Sequence, residues 1–283
     1  MNIHAIKTGA VAIKTRQVHG VGRGSRRQLN TLLDREWTEP LPIYAYAIEH
    51  PEGVIVVDTG ETARTAEPGY FPSWHPFFRY GLREWVAPTE EIGPQLEQLG
   101  ISHRDVRWVV LTHMHTDHVG GLHHFPHAQI LVSRADLAVS TGRRGRLRGY
   151  LSDRWPQWFD PTIVELRPER YGPFPQSLPL TKAGDITIVP LRGHTPGQQG
   201  VLIHEDEHVV LIAGDASYNQ ELMLRGIVDG VAPNDEVAKL THERIHALAA
   251  KIPTVYLVAH DPEAGQRLDH RVTVGAVPLA VAA

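Results

Sequence analysis

The 283-residue chain contains no cysteine. Disulfides are therefore excluded, and any metal must be held by imidazole and carboxylate groups without thiolate. Long apolar runs are also absent: no stretch approaches the roughly 18 residues of a membrane span. The N-terminal MNIHAIKTGAVAIKTRQ lacks the apolar core and small-residue cleavage site of a signal peptide. The C-terminal VTVGAVPLAVAA is short and broken by Pro278, so a packed or frayed tail is expected rather than an anchor. Charge of one sign is scarce as well. The formal net charge of -4 gives no long-range attraction to nucleic acid or to an anionic membrane, and neither is expected as a partner. No Ser/Gly linker, composition break or internal repeat divides the chain, so one domain over 1–283 and a cytoplasmic location are the expectations.

Short β-branched runs are plentiful. They include Ile43–Ile48, Val54–Val57, Val106–Leu111, Ile130–Val132, Ile186–Leu191, Gly200–His204, Val209–Ala213 and Val255–Ala259. Each is bounded by Gly, Pro, Asp or charged residues, the punctuation of strands. Helical patterns at Glu90–Leu99, Arg134–Val139 and Asp235–Ala250 lie between them. The pattern predicts an α/β fold of two packed sheets with helices outside. Two segments, 70–88 and 150–175, are dense in aromatics and read as insertions. Their residues Trp74, Phe77, Phe78, Trp155 and Trp158 are candidates for the wall of an apolar substrate cleft, which such groups usually line. The competing reading makes them loop anchors on the core.

The most informative segment is Val106-Arg-Trp-Val-Val-Leu-Thr-His-Met-His-Thr-Asp-His-Val-Gly-Gly. A strand runs straight into His113, His115, Asp117 and His118. Side chains at i and i+2 of an extended segment point the same way, so His113 and His115 can close on one metal. The turn at Gly120 and Gly121 can swing Asp117 and His118 toward a neighbouring one. Three further candidates, His194, Asp215 and His260, each follow a predicted strand. Functional groups of α/β folds gather at such strand ends. Five imidazoles and two carboxylates suit two divalent ions, with Zn2+ expected and iron, cobalt or manganese as alternatives.

Together, HxHxDH, GHTPG, GDAS and a late histidine resemble the metallo-β-lactamase superfamily, and Val57-Asp58-Thr-Gly resembles its early VDTG strand end. The resemblance covers nearly the whole chain and implies an αβ/βα sandwich with the metals at one edge of two mixed sheets. It implies that His113, His115 and His194 hold one metal and that Asp117, His118 and His260 hold the other, with Asp215 bridging. Asp58 would orient a ligand imidazole through its ring N–H.

Asp215-Ala-Ser-Tyr218 is similar to the N-acyl homoserine lactonases, which implies that Tyr218 reaches a lactone carbonyl and that Asp117 shuttles the proton. The substrate implied is a small lactone, opened by a metal-activated hydroxide, and a homodimer is the assembly to test. His118 to His194 spans 76 positions, longer than in the compact lactonases, so contacts from 150–175 stay unassigned. A phosphotriester hydrolase and a glyoxalase-II-like thioesterase are the alternatives on the same fold. A non-catalytic, metal-stabilised binding protein is disfavoured because no ligand is missing.

Two patterns read as bland. Arg143, Arg144, Arg146 and Arg148 are taken as solvated. His242-Glu-Arg-Ile-His246 fits the HExxH pattern of zinc proteases. However, the helical period puts Val237, Leu240, Thr241, Ile245 and Leu248 on the buried face and turns both histidines to solvent.

Overall fold

The structure, a computed structural model, describes residues 1–275. The tail around Pro278 lies outside the described residues. In chain order the strands are β1 (Asn2–Ile13), β2 (Leu41–Glu49), β3 (Val54–Val57), β4 (Leu82–Trp85), β5 (Val106–Val110) and β6 (Gln129–Ser133). β7 (Thr162–Val164), β8 (Leu178–Pro179), β9 (Ile186–Pro190), β10 (Gln199–His204), β11 (Val209–Ile212) and β12 (Thr254–Leu257) follow. The helices are α1 (Thr15–Val18), α2 (Gly24–Leu32), α3 (Pro76–Tyr80), α4 (Ile92–Gln98) and α5 (Thr116–Val119). After them come α6 (Arg134–Ser140), α7 (Gly142–Leu147), α8 (Gln220–Leu224), α9 (Asp235–Ala249) and α10 (Ala264–Asp269).

The strands form a seven-stranded sheet in the order β4-β1-β2-β3-β5-β6-β7 and a five-stranded sheet in the order β12-β11-β10-β9-β8. Both are mixed: β3, β5, β6 and β7 run parallel, as do β11 and β12, and the remaining pairs are antiparallel.

Period-two alternation explains how the sheets stack. Ile55, Val57, Trp108 and Val110 of one sheet share a core with Ile188, Val201, Ile203, Val210 and Ile212 of the other. The alternate residues point outward. Val56 and Val109 pack with Ile92 and Leu96 of α4, while Leu202 and Leu211 pack with Ile245 and Leu248 of α9. Strands buried on both faces need the near-continuous apolar runs that the sequence shows.

Three sequence expectations need correction. β1 was not expected, because His4, Lys7 and Thr8 interrupt its alternation. It nevertheless pairs with β2 and β4, with a register shift between Lys7 and Ala10. Gly9 sits there at φ +125°, where an added Cβ would lie 2.7 Å from the Trp85 carbonyl oxygen. The 70–88 and 150–175 segments are also framework in part, since they supply β4 and β7, the two edge strands of the larger sheet.

The third correction concerns α9. Its buried face is Ala238, Thr241, His242, Ile245 and Leu248, whereas Val237 and Leu240 are exposed. His242 turns inward because its Nε2 donates to the Ala216 carbonyl at 2.6 Å, and His246 donates to the Leu224 carbonyl at 3.1 Å. His242 therefore braces the loop after β11, and His246 braces the end of α8. Among the described residues, no helix is long and apolar enough to cross a membrane.

Candidate metal centre and its cavity

Five strand ends deliver the site to one edge. β3 is followed by Asp58, β5 by the segment holding His113 and His115, β9 by His194, β11 by Asp215 and β12 by His260. α5 then carries Asp117 and His118. Within the cluster, His115 Nδ1 lies 2.9 Å from His113 Nε2 and 3.0 Å from His194 Nε2. Around Asp215, His118 Nε2 and His260 Nε2 each stand 3.3 Å from a carboxylate oxygen, and His194 Nε2 stands 3.6 Å away. Asp117 lies 3.2 Å from His260 Nε2 and 3.8 Å from His118 Nε2. All seven sequence-predicted ligands thus converge, in overlapping groups suited to metal.

The outer partners of these rings decide which nitrogen faces inward. His118 Nδ1 donates to Asp58 at 2.8 Å, and His260 Nδ1 donates to the Pro42 carbonyl at 2.9 Å. Thr112 gives its own hydroxyl proton to Asp58, so it accepts from His113 Nδ1 at 3.2 Å. His194 Nδ1 lies 3.2 Å from Asp229. Three Nδ1 protons are thereby fixed outside the cluster, and Asp229 stands beside the fourth Nδ1 without a formed hydrogen bond, so four Nε2 atoms are aimed into the cluster. That is how a protein sets imidazole tautomers for a metal. His118 Nε2 and Asp215 Oδ1 are buried without a hydrogen-bond partner, as atoms reserved for a cation would be. The residues fit a metal centre.

The electrostatics divide the five imidazoles, raising His118, His194 and His260 and lowering His113 and His115. Burial, with neighbouring imidazoles, holds His113 well below its usual range and His115 down to about 3, so both are neutral donors. For His260, burial works against the charge, but Asp215 and Asp117 outweigh it and carry the pKa up to about 10. Burial likewise opposes ionisation of Asp117, yet His118 and His260 hold it down at about 2. Asp58 is pinned in its place by an unusual backbone, with φ 59°, in the left-handed region that few non-glycine residues adopt. Its two oxygens accept from Thr112 N and Thr112 Oγ1, each at 2.7 Å, so Asp58 ties β3 to the end of β5 while it orients His118.

A cavity of about 790 Å3 opens over the cluster, within the usual range for small-molecule sites. Its floor includes His115, Asp117, His194, Asp215, Tyr218 and His260. Phe77 and Phe78 line it, with Leu82 and Tyr150 nearby. Tyr150 stacks on His115, with ring centroids 5.1 Å apart.

Trp74, Trp155 and Trp158 do not line the cavity. Trp155 packs with Phe159 against the outer face of the larger sheet, and Trp74 is 53% exposed. Aromatic density alone could not separate the two uses. Arg148, taken from sequence as solvated, is exposed and also borders the cavity. Asp229, Thr112 and Asp136 were missed, because each acts through a neighbour and carries no motif of its own.

Asp136 shows how such a residue works. Its oxygens accept from Thr195 Oγ1 and Gly197 N, each at 2.8 Å, and so anchor the loop that bears His194. Burial pushes its carboxyl up to about 6 despite those bonds. An acid whose folded pKa is raised is favoured while protonated, so its contribution to stability falls as pH climbs from about 4 through about 6. Asp136→Asn should therefore flatten the urea midpoint over that window relative to the wild type. Parallel profiles for the two proteins would rule the titration out.

Two mixed sheets stacked face to face, with histidines and aspartates converging at the strand ends, define a metal-binding α/β sandwich. The chain matches the metallo-beta-lactamase superfamily over residues 38–260. It belongs to that superfamily. A probable metallo-hydrolase of Mycobacterium tuberculosis is 36% identical over 188 residues, covering 65% of this chain and 57% of that protein. The chain thus spans little more than half the length of that relative. An N-acyl homoserine lactonase of a Bacillus species is 28% identical over 232 residues, covering 79% of this chain and 82% of the lactonase. Among solved structures, an N-acyl homoserine lactone hydrolase with N-hexanoyl-L-homoserine at its catalytic metal centre superposes with a TM-score of 0.73. That pair is 20% identical, covering 95% of this chain and 96% of the other.

Proposed function

We propose that the chain is a dinuclear metal-dependent hydrolase that opens the ring of N-acyl homoserine lactones or related lactones. The observation that carries this reading is the position of Tyr218. Its ring stacks on His260 at 5.4 Å between centroids, and the residue lines the cavity beside Asp117 and Asp215. Two divalent cations, one among His113, His115 and His194 and the other among Asp117, His118 and His260, with Asp215 between, would supply Lewis acidity and acidify a water into the neutral range.

The rest falls to the chain's own groups. Burial, reinforced by the Asp215 carboxylate, holds the Tyr218 phenol well above its usual value, so it remains a donor at working pH. It can hydrogen-bond the lactone carbonyl oxygen as negative charge develops there. Asp117, ionised at neutral pH, accepts the proton of the attacking water. It returns that proton to the ring oxygen as the acyl C–O bond breaks, giving a carboxylic acid and an alcohol on one chain. Phe77, Phe78 and Leu82 offer the acyl tail an apolar wall.

The test is a panel of acyl homoserine lactones, plain γ- and δ-lactones, a thioester, a phosphotriester and a β-lactam. Lactones should lead in kcat/KM; a phosphotriester or thioester ahead by tenfold overturns the reading. Tyr218→Phe should lower lactone turnover by roughly tenfold, less than an isolated oxyanion donor costs, because metal shares the charge. The loss should be smaller with a phosphotriester. Equal losses, or none, would reduce Tyr218 to a packing aromatic.

A further inference from the structure

Gln17 reaches the site from the other end of the chain. It lies in α1, where its N–H donates to the Lys14 carbonyl at 2.8 Å and its carbonyl accepts from Gly230 N at 2.7 Å. The approach is close. A Cβ on Gly230 would stand 2.2 Å from the Arg16 carbonyl oxygen and 2.9 Å from Gln17 Cα. The 229–230 loop that supplies Asp229 to His194 is thus pressed onto the residue that meets Tyr218, and the origin of the Gln17 side chain is fixed.

That side chain is 6% exposed and lines the same cavity as Tyr218, Asp117 and His260. Its Nε2 donates to the Tyr218 hydroxyl oxygen at 2.8 Å. Its Oε1 is buried and has no hydrogen-bond partner. Two consequences follow from the donor and acceptor inventory. Since the Tyr218 oxygen accepts from Gln17, the phenolic proton is free to point at substrate. The amide oxygen beside it, meanwhile, is an acceptor that lacks an N–H, and buried polar groups of native proteins seldom go unmatched.

We propose that Gln17 reads an amide N–H on the substrate: its Oε1, closed to solvent in this structure, accepts that proton on a small shift of the side chain as substrate enters, while its Nε2 holds the Tyr218 hydroxyl toward the carbonyl under attack. The preferred substrate is then an acylamino lactone, and a lactone without the amide leaves the acceptor empty. This rests on the lactone reading of the site. An unmet buried acceptor discriminates far better than a missing methylene does, because the analogue forfeits a bond and strands a polar group. The amide turned over would take the Tyr218 proton and present N–H groups to the cavity, and it would favour an acceptor at the same substrate position.

The experiment compares kcat/KM for an N-acyl homoserine lactone with its O-acyl analogue, in which an ester oxygen replaces the N–H. The wild-type protein should prefer the amide by about tenfold or more. In Gln17→Leu that ratio should collapse to within about threefold, whatever the variant loses on both substrates through Tyr218. Gln17→Glu provides the second arm. A carboxylate still accepts from the amide but also takes the Tyr218 proton, so the ratio should persist while kcat falls on both substrates by roughly tenfold. A wild-type ratio near one, or a ratio unchanged in Gln17→Leu, overturns the assignment while the lactonase reading stands. No turnover of either lactone, with turnover of a phosphotriester, overturns both.

Discussion

Asp117→Asn is expected to cut lactone turnover by on the order of a hundredfold or more, the range of a lost general acid–base group. The substitution keeps an oxygen near His260 and His118, from which the carboxylate stands 3.2 and 3.8 Å in the wild type. It removes the charge that His118 and His260 stabilise and the capacity to carry a proton. The side chain is 15% exposed, the opening through which substrate can meet it. The fall should therefore lie in kcat, with metal content partly retained and KM little changed. Near-normal turnover at full metal content would make Asp117 a ligand only, and the proton would need another carrier.

The convergence of the seven candidate ligands was legible in the sequence for a physical reason. A strand end fixes direction, and two extended residues apart means the same side, so HxH after an apolar run specifies a geometry as well as a composition. His194, Asp215 and His260 share that grammar, each three or four residues past a strand whose burial is complete. The partners that orient these rings are different in kind. Asp229 meets His194 across 35 positions, and Gln17 meets Tyr218 across 201. Nothing local marks either residue, because the packing of the 229–230 loop on α1 creates both contacts.

The fold divides in the same way. Strands buried on both faces, such as β3, β9 and β11, announce themselves as apolar runs, and their bounds are read to within a residue. β1 and β4 lie toward one end of the larger sheet and mix polar with apolar side chains, so propensity gives them little weight against their surroundings. The face of α9 was misread for a related reason. An amphipathic count treats histidine as polar, whereas His242 is buried because a carbonyl of the site-bearing loop is waiting for its proton.

Stripping the metals should abolish hydrolysis and leave the fold standing. Seven ligands in three overlapping groups should bind two ions per chain by elemental analysis, and His194→Ala should lower that occupancy. The metal-free cluster holds itself together by charge. His260, raised to about 10, stabilises the fold at and below its unfolded value near 6.5 and loses that contribution as pH climbs through about 10. Asp117, held at about 2, contributes above roughly 4 and loses its share as pH falls through about 2. Against these, His115 at about 3 refuses a proton that the unfolded chain accepts, so stability drains away as pH drops below about 6.5. The chelated protein should melt highest near neutrality and lose stability on both sides. Returning zinc at a thousand times its dissociation constant should add about 4 kcal/mol. One ion or none per chain, with hydrolysis surviving the chelator, would leave the dinuclear centre without support.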